Sequence, residues 1–214
     1  MYYFCDKNIA LFSMQSVGDK ILVSLKKCGR GVAFSSTRFA HYGSADAVRQ
    51  AVDRLCKQQT VVRVARGIYC YPIIEKELGL GVIYPSFDQI AKCIASRDRV
   101  QITAVGAYAV NRLGLSTQVP MNAVYLTSGE SRKIKLENGR SIVFKHAAPK
   151  IFAFKNPFAQ LVCVALKEIG NGNLSEVQMV TLKKVIKEQP RISEIDLKIM
   201  PVWIKKLLNK LYDE

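Results

Sequence analysis

The stretch from Ser16 to Tyr71 constrains the fold most, because it places helical patterns ahead of a tight ribbon of alternating residues. Apolar residues recur at helical spacing in 17–28 and again in 45–58. Between them, 32–34 has the apolar character of a short strand, and 36–41 is predicted to be a brief helix. This order of elements predicts a winged helix-turn-helix, in which one helix enters the major groove of DNA beside a charged wing.

The ends of the two longer helices carry capping signals. Ser16 precedes the first helix, and Asp19 lies at the third helical position, the spacing of a capping box. Gly29 follows that helix, where a left-handed residue is favoured. Ser44 is positioned to cap the helix of 45–58. These signals set the helix boundaries independently of the apolar pattern.

The helix of 45–58 has an apolar stripe and an opposite face of charged and amide side chains. Arginine recognises guanine through two hydrogen bonds, and glutamine recognises adenine in the same way. We therefore expect Arg49 and Gln50 to read base edges. The outward side chains of this helix are Asp46, Arg49, Gln50, Asp53, Arg54 and Lys57.

The ribbon of 60–71 alternates with period two around a turn at 65–67, where glycine tolerates a positive φ. This alternation predicts valines on an inner face, with Arg63, Tyr69 and Tyr71 on the outer face. Phosphate contacts position a protein on DNA without reading its sequence. The residues expected to contact the DNA backbone are Lys20, Lys26, Lys27, Ser44, Arg54, Lys57, Arg63, Arg66, Gly67 and Tyr69.

Charge favours a phosphate-bearing partner over other partners. The chain has a formal net charge of +15, and residues 1–72 hold 11 Lys+Arg against 4 Asp+Glu. A concentrated basic unit is typical of nucleic-acid binding. The alternative is a winged-helix module that docks a protein without specific DNA binding, since charged faces on amphipathic helices are often only solvated.

The length of 214 residues accommodates two small domains. We expect a leader without fixed order at 1–15, the winged helix at 16–72, a linker at 73–84 and a mixed domain at 85–214. In the last, Asn138-Gly139 between two strand-like runs indicates an antiparallel hairpin, and the tail is helical. The predicted fold class is α+β.

The remaining composition is that of a cytoplasmic protein. The first residues lack the basic segment and cleavage site of a secretory signal, and no apolar run is long enough to span a membrane. The six cysteines include no Cys-x-x-Cys pair and are expected to be reduced. We expect no metal and no cofactor.

Two blocks of the chain resemble the AbiEi-like antitoxins. They are Ser44–Tyr69, ending in Val62-Arg-Val-Ala-Arg-Gly-Ile-Tyr69, and Val105–Pro120, which contains Leu113-Gly-Leu115 and Thr117-Gln-Val-Pro120. The resemblance extends over about residues 16–170. It implies an antitoxin of a bacterial type IV toxin–antitoxin pair, of the kind linked to abortive infection, which represses its own operon. It also implies operator DNA and a nucleotidyltransferase-like toxin as partners. The C-terminal domain is expected to serve either the antitoxin function or dimerisation, so a homodimer is one candidate assembly.

Two short patterns suggest catalysis, and both are weak. Gly43-Ser44 with Asp46 resembles the start of a nucleotidyltransferase motif, but no Asp-x-Asp accompanies it. Asp196 and Lys198 have the spacing of a magnesium-dependent nuclease without a matching upstream aspartate on a strand. We therefore expect a non-catalytic protein, with a nuclease using Asp196 and Lys198 as the alternative.

Overall fold

The structure is a computed structural model that describes residues 16–75, 77, 79 and 81–213. The predicted leader at 1–15 lies outside the described residues. The chain divides into two compact units, residues 1–97 and residues 98–214.

The first unit contains three helices, and its two α-helices begin at the predicted capping residues. Ser16 and Asp19 form the predicted capping box, with the Asp19 amide donating to Ser16 Oγ at 3.2 Å. The Ala47 amide donates to Ser44 Oγ, also at 3.2 Å. The helices are α1 (Val17–Cys28), a 3₁₀ helix (Ser36–Tyr42) and α2 (Ala45–Lys57). Their apolar faces form one core with Ile21, Leu25, Phe34, Phe39, Val48, Ala51, Val52 and Leu55.

A three-stranded antiparallel sheet completes the core of these helices. It contains β1 (Ala33–Ser35), β2 (Val62–Ala65) and β3 (Ile68–Cys70) in the order β1-β3-β2. β3 is the central strand, and all three of its residues are buried. Successive strand residues point to opposite faces, so both faces of β3 are covered.

The predicted faces of the ribbon are wrong for its tyrosines. Tyr69 and Tyr71 belong to the core formed with α1 and α2, whereas they were predicted to face outward. Ile68 and Cys70, on the opposite face, are also fully buried. Alternation reveals which residues share a face, but it does not reveal which face meets the core when both are apolar.

The predicted linker contains regular structure. β4 (Ile73–Glu75) and β5 (Gly81–Ile83) form an antiparallel ribbon, and α3 (Phe87–Asp98) follows. The first compact unit extends through Arg97 and so includes both. The sequence placed the division at 73–84 because glycines there interrupt helical periodicity, a signal that does not distinguish a ribbon from a linker.

The second unit is built on a four-stranded mixed sheet of β6 (Ile102–Val105), β7 (Asn122–Thr127), β8 (Arg132–Lys135) and β9 (Ser141–His146). The predicted Asn138-Gly139 hairpin is confirmed, since β8 and β9 are antiparallel and Gly139 has a φ of +79°. β9 also pairs with β7 in parallel. The order of the strands across the sheet is therefore β6-β7-β9-β8.

Helices α4 (Gly106–Arg112) and α5 (Pro157–Ile169) pack together, and α5 packs on β6. Asn156 caps α5 by accepting from the Phe158 amide at 2.8 Å, with proline at the first helical position. The predicted helical tail is confirmed. After a 3₁₀ helix (Pro149–Phe152) and α5 come α6 (Glu176–Lys187), α7 (Glu194–Ile199) and α8 (Val202–Asp213).

The chain is therefore an α+β protein, as the sequence predicted. Within the described ranges, no helix combines the length and apolar character that crossing a membrane requires.

Candidate nucleic-acid interface

The exposed face of α2 presents both residues predicted to read bases. Arg49 and Gln50 are exposed, as are Arg54 and Lys57 one to two turns further on. The buried stripe of α2, which packs into the helical core, points the opposite face to solvent. A shallow depression of about 300 Å³ on this face is lined by Gln50, Asp53, Arg54 and Lys57.

Two acidic residues share this face with the basic ones. Arg49 Nη2 donates to Asp46 Oδ1 at 2.8 Å, in the first turns of the helix. Asp53 lies one turn after Arg49. The exposed face of α2 therefore carries both charges, with a small positive excess. A surface basic enough to bind phosphates would also need basic residues from other elements.

The hairpin of β2 and β3 supplies two of those basic side chains. Arg63 and Arg66 are both exposed, on the strand and at the turn respectively. Gly67 has a φ of +73°, which closes the turn in a conformation that side chains rarely adopt. Arg66 therefore projects at the tip of the hairpin.

Sequence reasoning missed Arg97, which lies beside the same turn. From the last turn of α3, Arg97 Nη1 donates to the Arg66 carbonyl oxygen at 3.4 Å. A Cβ at Gly67 would lie 3.3 Å from that nitrogen. Arg97 follows the hairpin by about thirty residues, so no local pattern connects the two. A basic residue in a last helical turn was the only signal available.

Tyr69 does not lie where a backbone contact requires it. Its ring stacks on Phe34 with centroids 5.9 Å apart, and the residue is 9% exposed. Burial and the charge of Asp53 raise the pKa of its phenol, while Arg63 and Arg49 oppose that rise. The prediction of Tyr69 as a DNA contact is therefore corrected: the residue packs the sheet against α2.

The Tyr69 phenol and the Cys56 thiol both place Arg63 near α2. Burial raises the pKa of Cys56, Asp53 raises it further, and Arg63 lowers it. Arg63 on β2 is thus within electrostatic range of a residue on α2. The charges of Arg63 on β2 and Asp53 on α2 therefore act on the same two groups, the Tyr69 phenol and the Cys56 thiol.

The three predicted lysines of α1 are exposed, with Lys26 and Lys27 in the last turn and Lys20 near the start. Lysines in a last turn also interact favourably with the helix dipole, which gives them a structural role of their own. Two further arginines were missed. Arg30 Nη1 donates to the Pro72 carbonyl at 3.0 Å, and Arg38 Nη2 donates to Cys28 Sγ at 2.9 Å.

The compact unit is less distinctively basic than residues 1–72 alone. Residues 1–97 contain 14 Lys+Arg and 7 Asp+Glu, a net of +7, and residues 98–214 contain 18 and 10, a net of +8. Residues 73–97, which include the β4–β5 ribbon and nearly all of α3, add as many acidic as basic residues. Local placement of arginines on α2 and the hairpin is therefore a stronger argument than total charge.

Asp196, the acidic residue of the nuclease alternative, is buried and accepts hydrogen bonds that stabilise the local fold. Asp196 is 1% exposed and accepts from the Lys155 and Asn156 amides at 2.8 and 3.3 Å. It also accepts from Ser193 Oγ at 3.1 Å, while Lys198 is exposed. The carboxylate of Asp196 joins α7 to the start of α5. The oxygen of Ser44 likewise caps α2.

The cysteines among the described residues are free thiols. Burial raises the pKa of Cys70 to about 11 and also raises that of Cys163. Cys70 and Cys163 are therefore core residues, whereas Cys28 is exposed. Across residues 16–75, 77, 79 and 81–213, no cluster of three or more His, Cys, Asp or Glu side chains suited to a metal occurs.

The fold and the charged face of α2 define an α+β protein with a surface of exposed arginines and lysines. Residues 20–194 match the profile of DUF6088, a family of unknown function, and the chain belongs to that family. A search of curated proteins returned no match. Among solved structures, the chain is similar to the RV2827C protein from Mycobacterium tuberculosis, with 13% identity and a TM-score of 0.46. That similarity covers 91% of this chain and 77% of the other.

Proposed function

We propose that this protein is a cytoplasmic, DNA-binding transcriptional autorepressor and the antitoxin of a bacterial type IV toxin–antitoxin pair. The observation that carries the proposal is the exposed pair Arg49 and Gln50 on α2, in a unit whose β2–β3 hairpin also exposes Arg63 and Arg66. In this proposal α2 is the recognition helix and the hairpin is the wing.

The arrangement of elements supports a winged helix. Residues 17–70 run helix, strand, helix, helix, strand, strand, and the sheet order is β1-β3-β2. A recognition helix must bury one face and leave the other free for the major groove. α2 meets this requirement, since Val48, Ala51, Val52 and Leu55 are buried and Arg49, Gln50, Arg54 and Lys57 are exposed.

The assignment of contacts follows from side-chain chemistry. Arg49 and Gln50 have the donors that base edges accept, and the basic residues of α1, α2 and the hairpin have the charge that phosphates require. The antitoxin role and the nucleotidyltransferase-like toxin come from the resemblance of residues 44–69 and 105–120 to the AbiEi-like antitoxins.

The salt dependence of binding tests the DNA contacts. The full chain is titrated with a duplex from upstream of its own gene, between about 50 and 200 mM salt. Since each phosphate contact releases counterions, about five contacts give a slope of log K against log salt near −4 to −5. Arg63→Ala combined with Arg66→Ala should reduce that slope by about 2.

A matched control comes from the second unit. Lys133→Ala combined with Lys135→Ala removes two exposed basic side chains from β8 and should leave the slope unchanged. If the wild-type protein binds with no salt dependence, or if both double variants lower the slope equally, the proposed interface is wrong.

A protein-docking role is the second candidate, and the β4–β5 ribbon favours it. Ile73, Ile74, Ile83 and Tyr84 are large apolar residues that are 38–46% exposed. Large exposed apolar side chains of this kind are candidates for an interaction site. Failure to bind DNA, together with concentration-dependent association in sedimentation that Ile74→Lys abolishes, would support this candidate over the first.

A further inference from the structure

The pairing of Asp46 with Arg49 needs an explanation in a helix proposed to bind DNA. Asp46 lies in the first turn of α2, directly after the Ser44 cap region, and Arg49 lies one turn later. Arg49 Nη2 contacts Asp46 Oδ1 at 2.8 Å, and their side chains are 67% and 73% exposed. The pair therefore occupies the N-terminal part of the helix, which contacts base edges in helix-turn-helix proteins.

Neither stability nor general affinity accounts well for an acid at this position. Ion pairs between exposed side chains contribute little to folding, because solvent screens them. An aspartate close to phosphates also opposes DNA binding. These two observations favour a role for the carboxylate that depends on which bases are present.

We propose that Asp46 is a specificity-determining residue, and that Asp46 and Arg49 read adjacent bases as one unit. This inference rests on the proposed DNA-binding function. Asp46 holds the guanidinium of Arg49 through one nitrogen, and the other donors of Arg49 meet O6 and N7 of a guanine. The carboxylate accepts from the amino group of a neighbouring base, N4 of cytosine or N6 of adenine.

The competing explanation is purely helical. An acid in the first turn interacts favourably with the helix dipole, and oppositely charged residues three apart stabilise a helix slightly. On that explanation, Asp46→Ala changes binding to every duplex alike, because it only removes a negative charge. The two explanations differ in whether the change depends on DNA sequence.

The test compares selected and unselected DNA with the full-length protein. Duplexes are selected by the wild-type protein from a pool with a randomised centre, and an unselected duplex of the same length serves as the reference. Asp46→Ala should weaken binding to selected duplexes about tenfold. Binding to the reference duplex should be unchanged or tighter. Binding without sequence preference depends on phosphate contacts, and the variant removes a negative charge that would repel phosphates.

Two further variants sharpen the result. Asp46→Asn donates as well as accepts, so it should select a different base at one position. Glu194→Ala is the matched control, because it also removes an exposed acid from the first turn of a helix, in this case α7, where Glu194 pairs with Lys205 at 3.7 Å. It should leave the ratio of selected to unselected binding unchanged.

Equal effects of Asp46→Ala on both kinds of duplex, or an unchanged base preference, would overturn the role of Asp46 while leaving the DNA-binding function intact. If the wild-type protein enriches no sequence from the pool, the proposed function itself fails. Circular dichroism of each variant, compared with the wild-type protein, checks that the total helix content is unchanged before binding is measured.

Discussion

At the scale of single residues, Arg49, Gln50 and Arg66 separate base reading from backbone contact. Arg49→Ala or Gln50→Ala should cost about 1–3 kcal/mol on the preferred duplex and little on random DNA, because base-edge hydrogen bonds are lost. Arg66→Ala should weaken both duplexes similarly, because its guanidinium is at the tip of the hairpin. Fluorescence anisotropy on both duplexes measures the difference. If all three variants behave alike, α2 is not the reading helix.

Substitutions of Tyr69 test whether this residue of β3 packs in the core or contacts DNA. Because the ring is buried against Phe34, Tyr69→Ala should destabilise the first unit by about 3–5 kcal/mol. Tyr69→Phe keeps the ring and should leave DNA affinity near the wild-type value. Urea unfolding and DNA titration of both variants provide the measurement. A loss of affinity in Tyr69→Phe as large as that in Arg66→Ala would restore the phenol as a DNA contact.

At the scale of elements, the cap of α2 links stability to binding. Ser44→Ala removes the hydrogen bond to the Ala47 amide and should cost about 1 kcal/mol of stability. It should also weaken DNA binding, because the first turn of α2 carries Asp46 and precedes Arg49. Ser175→Ala removes the equivalent cap of α6 at a similar cost and serves as the control. An equal effect of the two changes on DNA affinity would contradict the assignment of α2.

At the scale of the whole molecule, the two compact units predict a division of labour. The fragment 1–97 includes α3, whose Arg97 contacts the hairpin turn, so it should fold more stably than 1–72. It should bind DNA more weakly than the full chain, since a single module buries less surface than a dimer. The fragment 98–214 should bind no specific DNA and should relieve toxicity when co-expressed with the cognate toxin.

Growth of cells that express the toxin with each fragment measures this division, once circular dichroism shows that both fragments fold. Rescue by 1–97 alone would mean that neutralisation operates through repression of the operon. The second unit would then be a dimerisation or scaffold element.

Elements whose signals are local could be predicted from the amino-acid sequence. The capping box of Ser16 and Asp19, the cap at Ser44 and the Asn138-Gly139 hairpin depend on neighbours a few residues away, and each is present as predicted. The exposure of Arg49 and Gln50 follows from the same local periodicity, because burying one stripe of a helix exposes the other.

Which surfaces meet depends on contacts between residues far apart in the chain, and no local pattern predicts those contacts. Tyr69 is buried because its face of β3 packs into the core of the first unit, beside Phe34 on β1, a residue distant from it in sequence. The parallel pairing of β7 with β9 and the contact of Arg97 with the hairpin turn have the same origin. Periodicity defines the faces of an element, but long-range packing selects the partner of each face.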